Sequence, residues 1–210
     1  MKDIRKSKKK YWLIGLSVFA LAVVGVLLGG YLFVLSPKFN TTNLQYIYIF
    51  PEDNIQSVSK QIYSKGGNKA RRVFKILNWF YQVENKFSGN SVADTDKLNI
   101  RVGRYAVKPN EKVIDVYRKI KNGAQSPMYL TIPSTRDMGR LSKSIAKQVM
   151  IKEAEISDAI SQYIYKNSND TVAFNPLAFF IPDTYEVYWN ISGEQLMERM
   201  QKEYDKFWNT

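Results

Sequence analysis

The feature that most constrains this chain is an uncharged run of 25 residues, Tyr11–Leu35, directly after a basic flank. The flank, MKDIRKSKKK, holds six Lys or Arg and one Asp. The run is longer than the roughly 20 residues that an α-helix needs to cross the hydrocarbon core of a bilayer. A cleaved signal peptide has a shorter apolar region, about 7–15 residues, and a small-residue cleavage pattern that LSPKFN lacks. The sequence therefore predicts a retained transmembrane signal anchor at residues 11–35.

The basic flank also predicts the orientation of the anchor. Positively charged flanks of a membrane helix stay in the cytoplasm. Residues 1–10 are thus predicted to be cytoplasmic, and residues 36–210 to lie outside the cytoplasmic (inner) membrane. The expected topology is a single pass with the N-terminus inside.

The amino-acid composition limits the kinds of catalytic and binding sites that the chain can form. The chain has no Cys and no His, which excludes disulfides, His-based triads and most zinc sites. We expect no metal and no cofactor, and any acid or base to be a carboxylate, Lys or Tyr. The net charge is +12, of which +7 belongs to residues 36–210. The basic residues of this region do not have the pattern of a nucleic-acid-binding protein. That positive excess favours weak electrostatic attraction of anionic wall polymers or lipid headgroups. The run Lys69–Arg72 is interpreted as a solvated helix face.

Residues 44–133, after a linker at 36–43, have the pattern of a small α+β unit. Asn54 is a predicted helix N-cap, Gly66-Gly67 separates two helices, and Gly103 marks a bend in a strand. The predicted elements are a strand at 45–50, helices at 54–63 and 69–86, a strand at 99–107, a helix at 111–123 and a strand at 128–132.

Residues 134–210 are mainly helical by pattern. In the last helix, Ser192 and Gln195 form a predicted capping box. An apolar stripe then runs to the end of the chain, through Leu196, Met200, Tyr204 and Phe207. Because such a stripe needs a partner surface and few elements offer one, we expect the covering elements to lie downstream. On this interpretation the chain is a fragment or a truncated product, and 134–210 is the incomplete start of a larger domain.

The stretch FFIPDTYEVYWNIS, from Phe179 to Ser192, allows two interpretations. Pro182-Asp183-Thr184 has the chemistry of a turn. The aromatic residues around it are either core residues of an interrupted strand or the wall of a binding cleft.

Several segments together resemble the endolytic murein transglycosylase family (MltG, YceG-like). They are VGRYAV, VIDVYRKIKNGAQ, YLTIPSTRDMGRLSKSIAKQVM and, most specific, FFIPDTYEVYW. The resemblance implies a LysM-like subdomain at 44–133, followed by a lytic transglycosylase domain. It also implies peptidoglycan glycan strands as the substrate, cleaved to 1,6-anhydro-MurNAc ends, and wall-synthesis proteins as partners. The alternative is a non-catalytic, membrane-anchored peptidoglycan-binding or scaffold protein.

The chain departs from the family pattern at two places. Leu177-Ala178 stands where the family has Glu-Gly, and Ser134-Thr135 ends the segment that is usually I-P-E-G. The family's catalytic glutamate lies in a stretch resembling A-S-I-x-E-K-E, beyond residue 210. The resemblance therefore assigns no catalytic residue within this chain.

Four residues are candidates for substrate binding. The resemblance favours Asp183 and Tyr185 as a cleft wall, because aromatic faces with polar tips suit sugar rings. Tyr105 belongs either to a strand bend with Gly103 and Arg104 or to a glycan-contacting edge. Arg136 belongs either to a helix cap or to a site for a carboxylate of the wall polymer.

Overall fold

The computed structural model describes residues 2–35, 38–87, 100–167 and 176–208. It confirms the α+β class, since helices are combined with two small sheets, β1–β2 and β3–β4. The elements in chain order are α1 Lys2–Leu35, β1 Gln45–Ile49, α2 Ile55–Phe87, β2 Gly103–Val107, α3 Val113–Asn122, β3 Met128–Ile132, α4 Met138–Ala146, α5 Glu153–Asn167, a short 3-10 helix Pro176–Phe179, β4 Asp183–Val187 and α6 Gly193–Trp208.

Helix α1 contains the apolar run. Its window Gly15–Leu32 is apolar and long enough to cross a membrane, and none of the window is buried against the rest of the protein. By length and composition, α1 is a candidate membrane span.

Helix α2 begins at a cap and is interrupted at a glycine. The Asn54 side-chain oxygen accepts hydrogen bonds from the backbone N–H groups of Gln56 and Ser57, both at 2.9 Å. Gly67 has φ 70° and ψ −168°, which is outside the helical region and is readily adopted only by glycine. The separation that the sequence places at Gly66-Gly67 is thus a kink within one long element.

The backbone divides into two compact units. The first consists of the described residues within Met1–Gln45, Asp53–Asn99 and Val107–Arg118. The second consists of the described residues within Tyr46–Glu52, Ile100–Ala106 and Lys119–Thr210.

Helices α2 and α3 supply most of the core of the first unit. Phe74 packs edge-on against Tyr117, and Tyr81 stacks on the same tyrosine, each with ring centroids 5.4 Å apart. The fully buried apolar residues of this unit are Phe39, Val58, Ile62, Ala70, Val73, Phe74, Val107, Val113 and Val116.

The second unit is built around the antiparallel pair β3–β4. Its register runs from Met128 opposite Val187 to Ile132 opposite Asp183. Leu130 and Tyr185, which face each other in this register, are both buried. The side-chain amide of Gln148 exchanges two hydrogen bonds with the backbone of Thr131, at 2.9 and 3.0 Å. The Gln148 side chain thus satisfies backbone N–H and C=O groups of β3 with hydrogen bonds.

The predicted turn at Pro182-Asp183-Thr184 is wrong in part. Asp183 and Thr184 are the first residues of β4, opposite Ile132 and Thr131. The hydroxyls of Thr131 and Thr184 lie 3.2 Å apart across the pair. Local turn chemistry is overridden here because the strand can pair with β3, which is distant in the sequence.

The expectation that the apolar stripe of the last helix is covered only by downstream elements is also wrong. Leu196 and Met200 are buried, and Tyr204 packs against the same core. Tyr204 lies 5.5 Å from Phe179 between ring centroids, so the 3-10 helix helps to cover it. Only the end of the stripe, Phe207, remains exposed.

The start of α6 is held as its sequence predicts. The Gln195 backbone N–H donates to the Ser192 hydroxyl at 3.2 Å, and the Ser192 N–H donates to the Gln195 side chain at 3.1 Å. This is a complete capping box, which satisfies two backbone donors at the helix start.

Candidate functional site

Two adjoining depressions open where β4 begins, with volumes of about 330 and 280 Å³. They share Ile181 and Phe207, and together we call them the paired cleft. The larger depression is lined also by Asp183, Tyr185, Glu203 and Lys206. The smaller is lined also by Pro133, Ser134, Thr135, Leu141, Leu177, Ala178, Phe180, Pro182 and Trp208.

The larger depression brings together the strand and the last helix. Asp183 is exposed at the first position of β4, and Tyr185, two residues on, points to the core on the alternating pattern of a strand. The Tyr185 hydroxyl donates to the Ile181 carbonyl at 2.7 Å, which ties the approach to β4 in place. Helix α6 adds Glu203, Lys206 and Phe207 at i, i+3 and i+4, which lie on one helix face.

Burial and the neighbouring charges in this depression keep the phenol of Tyr185 neutral. Burial is the largest effect that raises the pKa of Tyr185, and the negative charges of Asp183 and Glu203 raise it further, while Arg199 opposes them. Arg199 Nη2 and Glu203 Oε1 form an ion pair at 2.8 Å. Tyr185 is therefore a hydrogen-bond donor here rather than a base.

Both departures from the family pattern meet in the smaller depression. Ser134-Thr135 follows β3 and Leu177-Ala178 lies in the 3-10 helix, yet the two pairs line the same space. Among the residues described for this lining there is no carboxylate. At the two positions where the resemblance leads us to expect glutamate, this protein has Ser134 and Leu177.

Thr135 also has a structural role. Its hydroxyl accepts a hydrogen bond from the Asp137 backbone N–H at 3.2 Å. Asp137 in turn is the N-cap of α4 and accepts from the Gly139 N–H at 2.9 Å. Helix capping, one of the two interpretations of this loop, thus accounts for Thr135, and the cap itself is Asp137.

The four candidate binding residues have different positions. Asp183 and Tyr185 line the paired cleft together. Arg136 is exposed in the loop that follows Thr135. Tyr105 has no exposed surface, and its hydroxyl donates to the Arg101 carbonyl at 2.7 Å. Its ring thus lies wholly in the core, and Tyr105 is not among the residues that line the paired cleft.

Arg104, the neighbour of Tyr105 in β2, connects this strand to other segments of the second unit. The Arg104 guanidinium lies 3.5 Å above the ring centroid of Tyr46 and donates to the Pro127 carbonyl at 2.7 Å. Gly103 has φ 149°, so the bend predicted there uses a conformation that favours glycine. The GRY segment thus joins β1, β2 and the chain before β3.

Glu203, Lys206 and Phe207 were not identified from the sequence as site residues. The run Lys202–Lys206 has the appearance of a solvated helix face. The signal that could have found them is the i, i+3, i+4 spacing of an acid, a base and an aromatic residue at the end of an apolar stripe.

A third and larger cleft, of about 570 Å³, lies along the other part of β4 and the start of α6. Two of its lining side chains have buried atoms for which the described part of the chain offers no hydrogen-bond partner, Gln125 Oε1 and Arg199 Nε. Its lining residues are Gln125, Pro127, Glu186, Val187, Tyr188, Asn190, Ile191, Gln195 and Arg199. Over the described ranges, no group of three or more His, Cys, Asp and Glu is placed to hold a metal ion.

Comparison with known proteins identifies the family. The model of the YceG-like family matches residues 47–210. The crystal structure of a yceG-like protein from Listeria monocytogenes aligns with 80% of this chain and 56% of that one, at 18% identity and a TM-score of 0.34. The chain thus spans little more than half the length of that protein, and none of the curated proteins matches it. Since the family model covers most of its length, the protein belongs to the YceG-like (MltG) family.

Proposed function

We propose that the protein is a membrane-anchored member of the murein transglycosylases that holds a peptidoglycan glycan strand in the paired cleft. One observation carries the proposal: the FIPDTY and IPST segments, which are separate in sequence, line the same cleft. Helix α1 would be the anchor, with residues 36–210 outside the cytoplasm, and residues 44–133 would form a LysM-like subdomain.

The lining of the paired cleft suits a sugar polymer. Phe207 and Trp208 are 59% and 65% exposed, so they offer flat apolar surface to sugar rings. Asp183, Glu203 and Lys206 are polar groups in reach of hydroxyl and amide groups at the same place.

The reaction of a lytic transglycosylase needs a single carboxylic acid. The acid protonates the leaving glycosidic oxygen, and its carboxylate then takes the proton of the sugar's own 6-hydroxyl as the 1,6-anhydro ring closes. Such an acid must be kept protonated, usually by burial away from other charges. Asp183 is exposed and Glu203 is ion-paired, so we assign neither of them this role. The resemblance gives it to a glutamate in a stretch similar to A-S-I-x-E-K-E, which is not among these 210 residues.

The 210-residue polypeptide should therefore bind glycan strands without cleaving them. We expect purified full chain in detergent, incubated with peptidoglycan, to give no 1,6-anhydromuropeptides detectable by mass spectrometry. A lytic transglycosylase of known activity, run in parallel, shows that the substrate is cleavable. Anhydro products made by this chain would instead place the acid among its own carboxylates, with Asp183 and Glu203 the first to substitute.

Binding itself should depend on the aromatic end of α6. We expect the double substitution Phe207→Ala/Trp208→Ala to weaken binding of GlcNAc–MurNAc oligomers about tenfold, since aromatic contacts contribute roughly 0.5–1.5 kcal/mol each. Isothermal titration calorimetry measures the change. Tyr129→Ala, which removes an aromatic side chain that is 71% exposed outside the paired cleft, should leave binding unchanged. Equal effects of both changes would refute this location.

A further inference from the structure

Helix α2 carries nearly all of the excess positive charge that lies beyond the anchor. Its residues 55–83 include six Lys or Arg and no Asp or Glu. Residues 36–210 have a net charge of +7, so the rest of that region is close to neutral. The excess is therefore a local property of one helix.

The same helix exposes a large apolar surface. Ile76, Trp79 and Phe80 are 42%, 63% and 60% exposed, and their i, i+3, i+4 spacing puts them on one face. Val73 and Phe74, on another face, are fully buried in the core of the first unit. Core packing thus accounts for one face of α2 and leaves the aromatic one in solvent.

Basic residues adjoin this aromatic face. Arg72 precedes Ile76 by four residues and is exposed, and so are Lys69 and Lys75. We call Lys69, Arg72, Lys75, Ile76, Trp79 and Phe80 the basic-aromatic face. Cations beside Trp and Phe on an amphipathic helix are typical of segments that lie in the interface of an anionic bilayer.

The chain after α1 is fixed to α2 at its kink. Phe39 has no exposed surface, and a Cβ placed on Gly66 would lie 2.8 Å from Phe39 Cδ1. The Phe39 backbone is also held in place: its N–H donates to the Glu111 carbonyl at 2.8 Å, and its carbonyl accepts from the Asn110 N–H at 3.1 Å.

This attachment limits how far α2 can be from a membrane. Leu32 ends the apolar window of α1, seven residues before Phe39. Seven residues span at most roughly 25 Å when fully extended. Trp79 is thirteen residues beyond Gly66, or roughly 20 Å along a helix. If α1 spans the bilayer, the basic-aromatic face lies within reach of the same bilayer.

We propose that the basic-aromatic face binds the anionic lipid headgroups of the bilayer that α1 spans, with Trp79 and Phe80 at the boundary of the hydrocarbon. The inference rests on the proposed anchoring by α1. A soluble polyanion would neutralise Lys69, Arg72 and Lys75 but leave the aromatic rings in water, whereas a lipid interface accommodates both groups. Because α1 holds the face close to the membrane, its effective concentration there is high and a weak intrinsic affinity is sufficient.

The absence of cysteine makes a direct test possible. A spin label is attached to the single cysteine of Ile76→Cys, Phe19→Cys or Tyr129→Cys in the full chain, reconstituted in lipid nanodiscs. Collision rates with oxygen and with a water-soluble nickel chelate report the depth of each label. Ile76 is chosen because its substitution leaves Trp79 and Phe80 in place. Phe19 lies in the apolar window of α1, and Tyr129 is an exposed control in the second unit.

In discs containing phosphatidylglycerol, we expect the Ile76 label to favour oxygen, as the Phe19 label does, and the Tyr129 label to favour the nickel chelate. In pure phosphatidylcholine the Ile76 label should move toward water. The triple change Lys69→Gln/Arg72→Gln/Lys75→Gln should lower the constant for association of the basic-aromatic face with the membrane roughly 10²-fold. The matched change Lys143→Gln/Lys147→Gln/Lys152→Gln removes the same charge from exposed positions elsewhere and should have little effect.

Two results would overturn this inference alone, provided that the Phe19 label lies in lipid. In one, the Ile76 label is as accessible to the nickel chelate as the Tyr129 label, so that the face is in water. In the other, the Ile76 label is shielded from both colliders, so that protein covers the face. A Phe19 label in water would overturn the proposed anchoring together with the inference.

Discussion

Replacing Leu196 with Ala should lower the free energy of unfolding of the second unit by about 2–5 kcal/mol, the usual cost of truncating a fully buried leucine. Leu196 has no exposed surface and belongs to the core that β3, β4 and helices α4 to α6 share. Urea denaturation of the full chain in detergent measures the change. Glu198→Ala, an exposed position on the same helix, should alter stability by no more than about 0.5 kcal/mol.

Amide exchange gives an independent measurement of the same packing. In the unsubstituted chain, the backbone N–H groups of α6 should exchange as slowly as those of β3. Leu196→Ala should accelerate exchange in both elements, because they share one core. A loss of stability below about 1 kcal/mol together with fast exchange throughout α6 would show that the helix does not pack as described.

The apolar stripe of α6 illustrates what a sequence pattern can specify. The spacing of Leu196, Met200 and Tyr204 identifies the buried face, but it carries no information on what buries it. The cover comes from Tyr163 in α5 and Phe179 in the 3-10 helix, which precede Leu196 by 33 and 17 residues. A helix whose partner the local sequence does not reveal can thus pack on residues of the same chain.

Local signals were the most reliable guides to the fold. The Asn54 cap, the Ser192–Gln195 capping box and the strand Met128–Ile132 each depend on residues within a few positions of one another. The local sequence predicts a turn at Asp183-Thr184, because the strand residues that pair with them, Thr131-Ile132, are some fifty residues away. Pairing over that distance depends on the whole second unit rather than on local preference.

The candidate site also combines residues that a local motif identifies with residues that only the fold brings together. Asp183 and Tyr185 belong to one short motif, which identifies them without knowledge of the fold. Leu177 and Ser134 meet only because the 3-10 helix and the end of β3 lie beside each other. Tyr105 illustrates the converse, since an aromatic residue in a family-like motif can belong entirely to the core.

Raising the pH from 10 to 12 should destabilise the folded protein by about 2 kcal/mol through Tyr105 alone. Burial raises the pKa of the Tyr105 phenol from 10.0 to about 12, against a smaller opposing effect of Arg101. The unfolded chain therefore loses this proton first, and between these two pH values unfolding releases a proton. The stabilisation that the neutral phenol gives the folded state is present below pH 10 and is lost as the pH rises through 12.

Other tyrosines that are buried or partly buried act in the same direction. Burial raises the pKa of Tyr117, Tyr163 and Tyr185 as well, so their phenols also stay neutral longer in the folded state. Unfolding free energies from urea titrations across the alkaline range should thus fall steeply with pH. Tyr105→Phe has no phenol to ionise and should make that slope shallower by about one proton. It also removes the hydrogen bond to the Arg101 carbonyl, which lowers stability by about 1 kcal/mol below pH 10, where the phenol is protonated in both states. An unchanged slope in Tyr105→Phe would mean that this phenol ionises alike in the folded and unfolded chain, contrary to its complete burial.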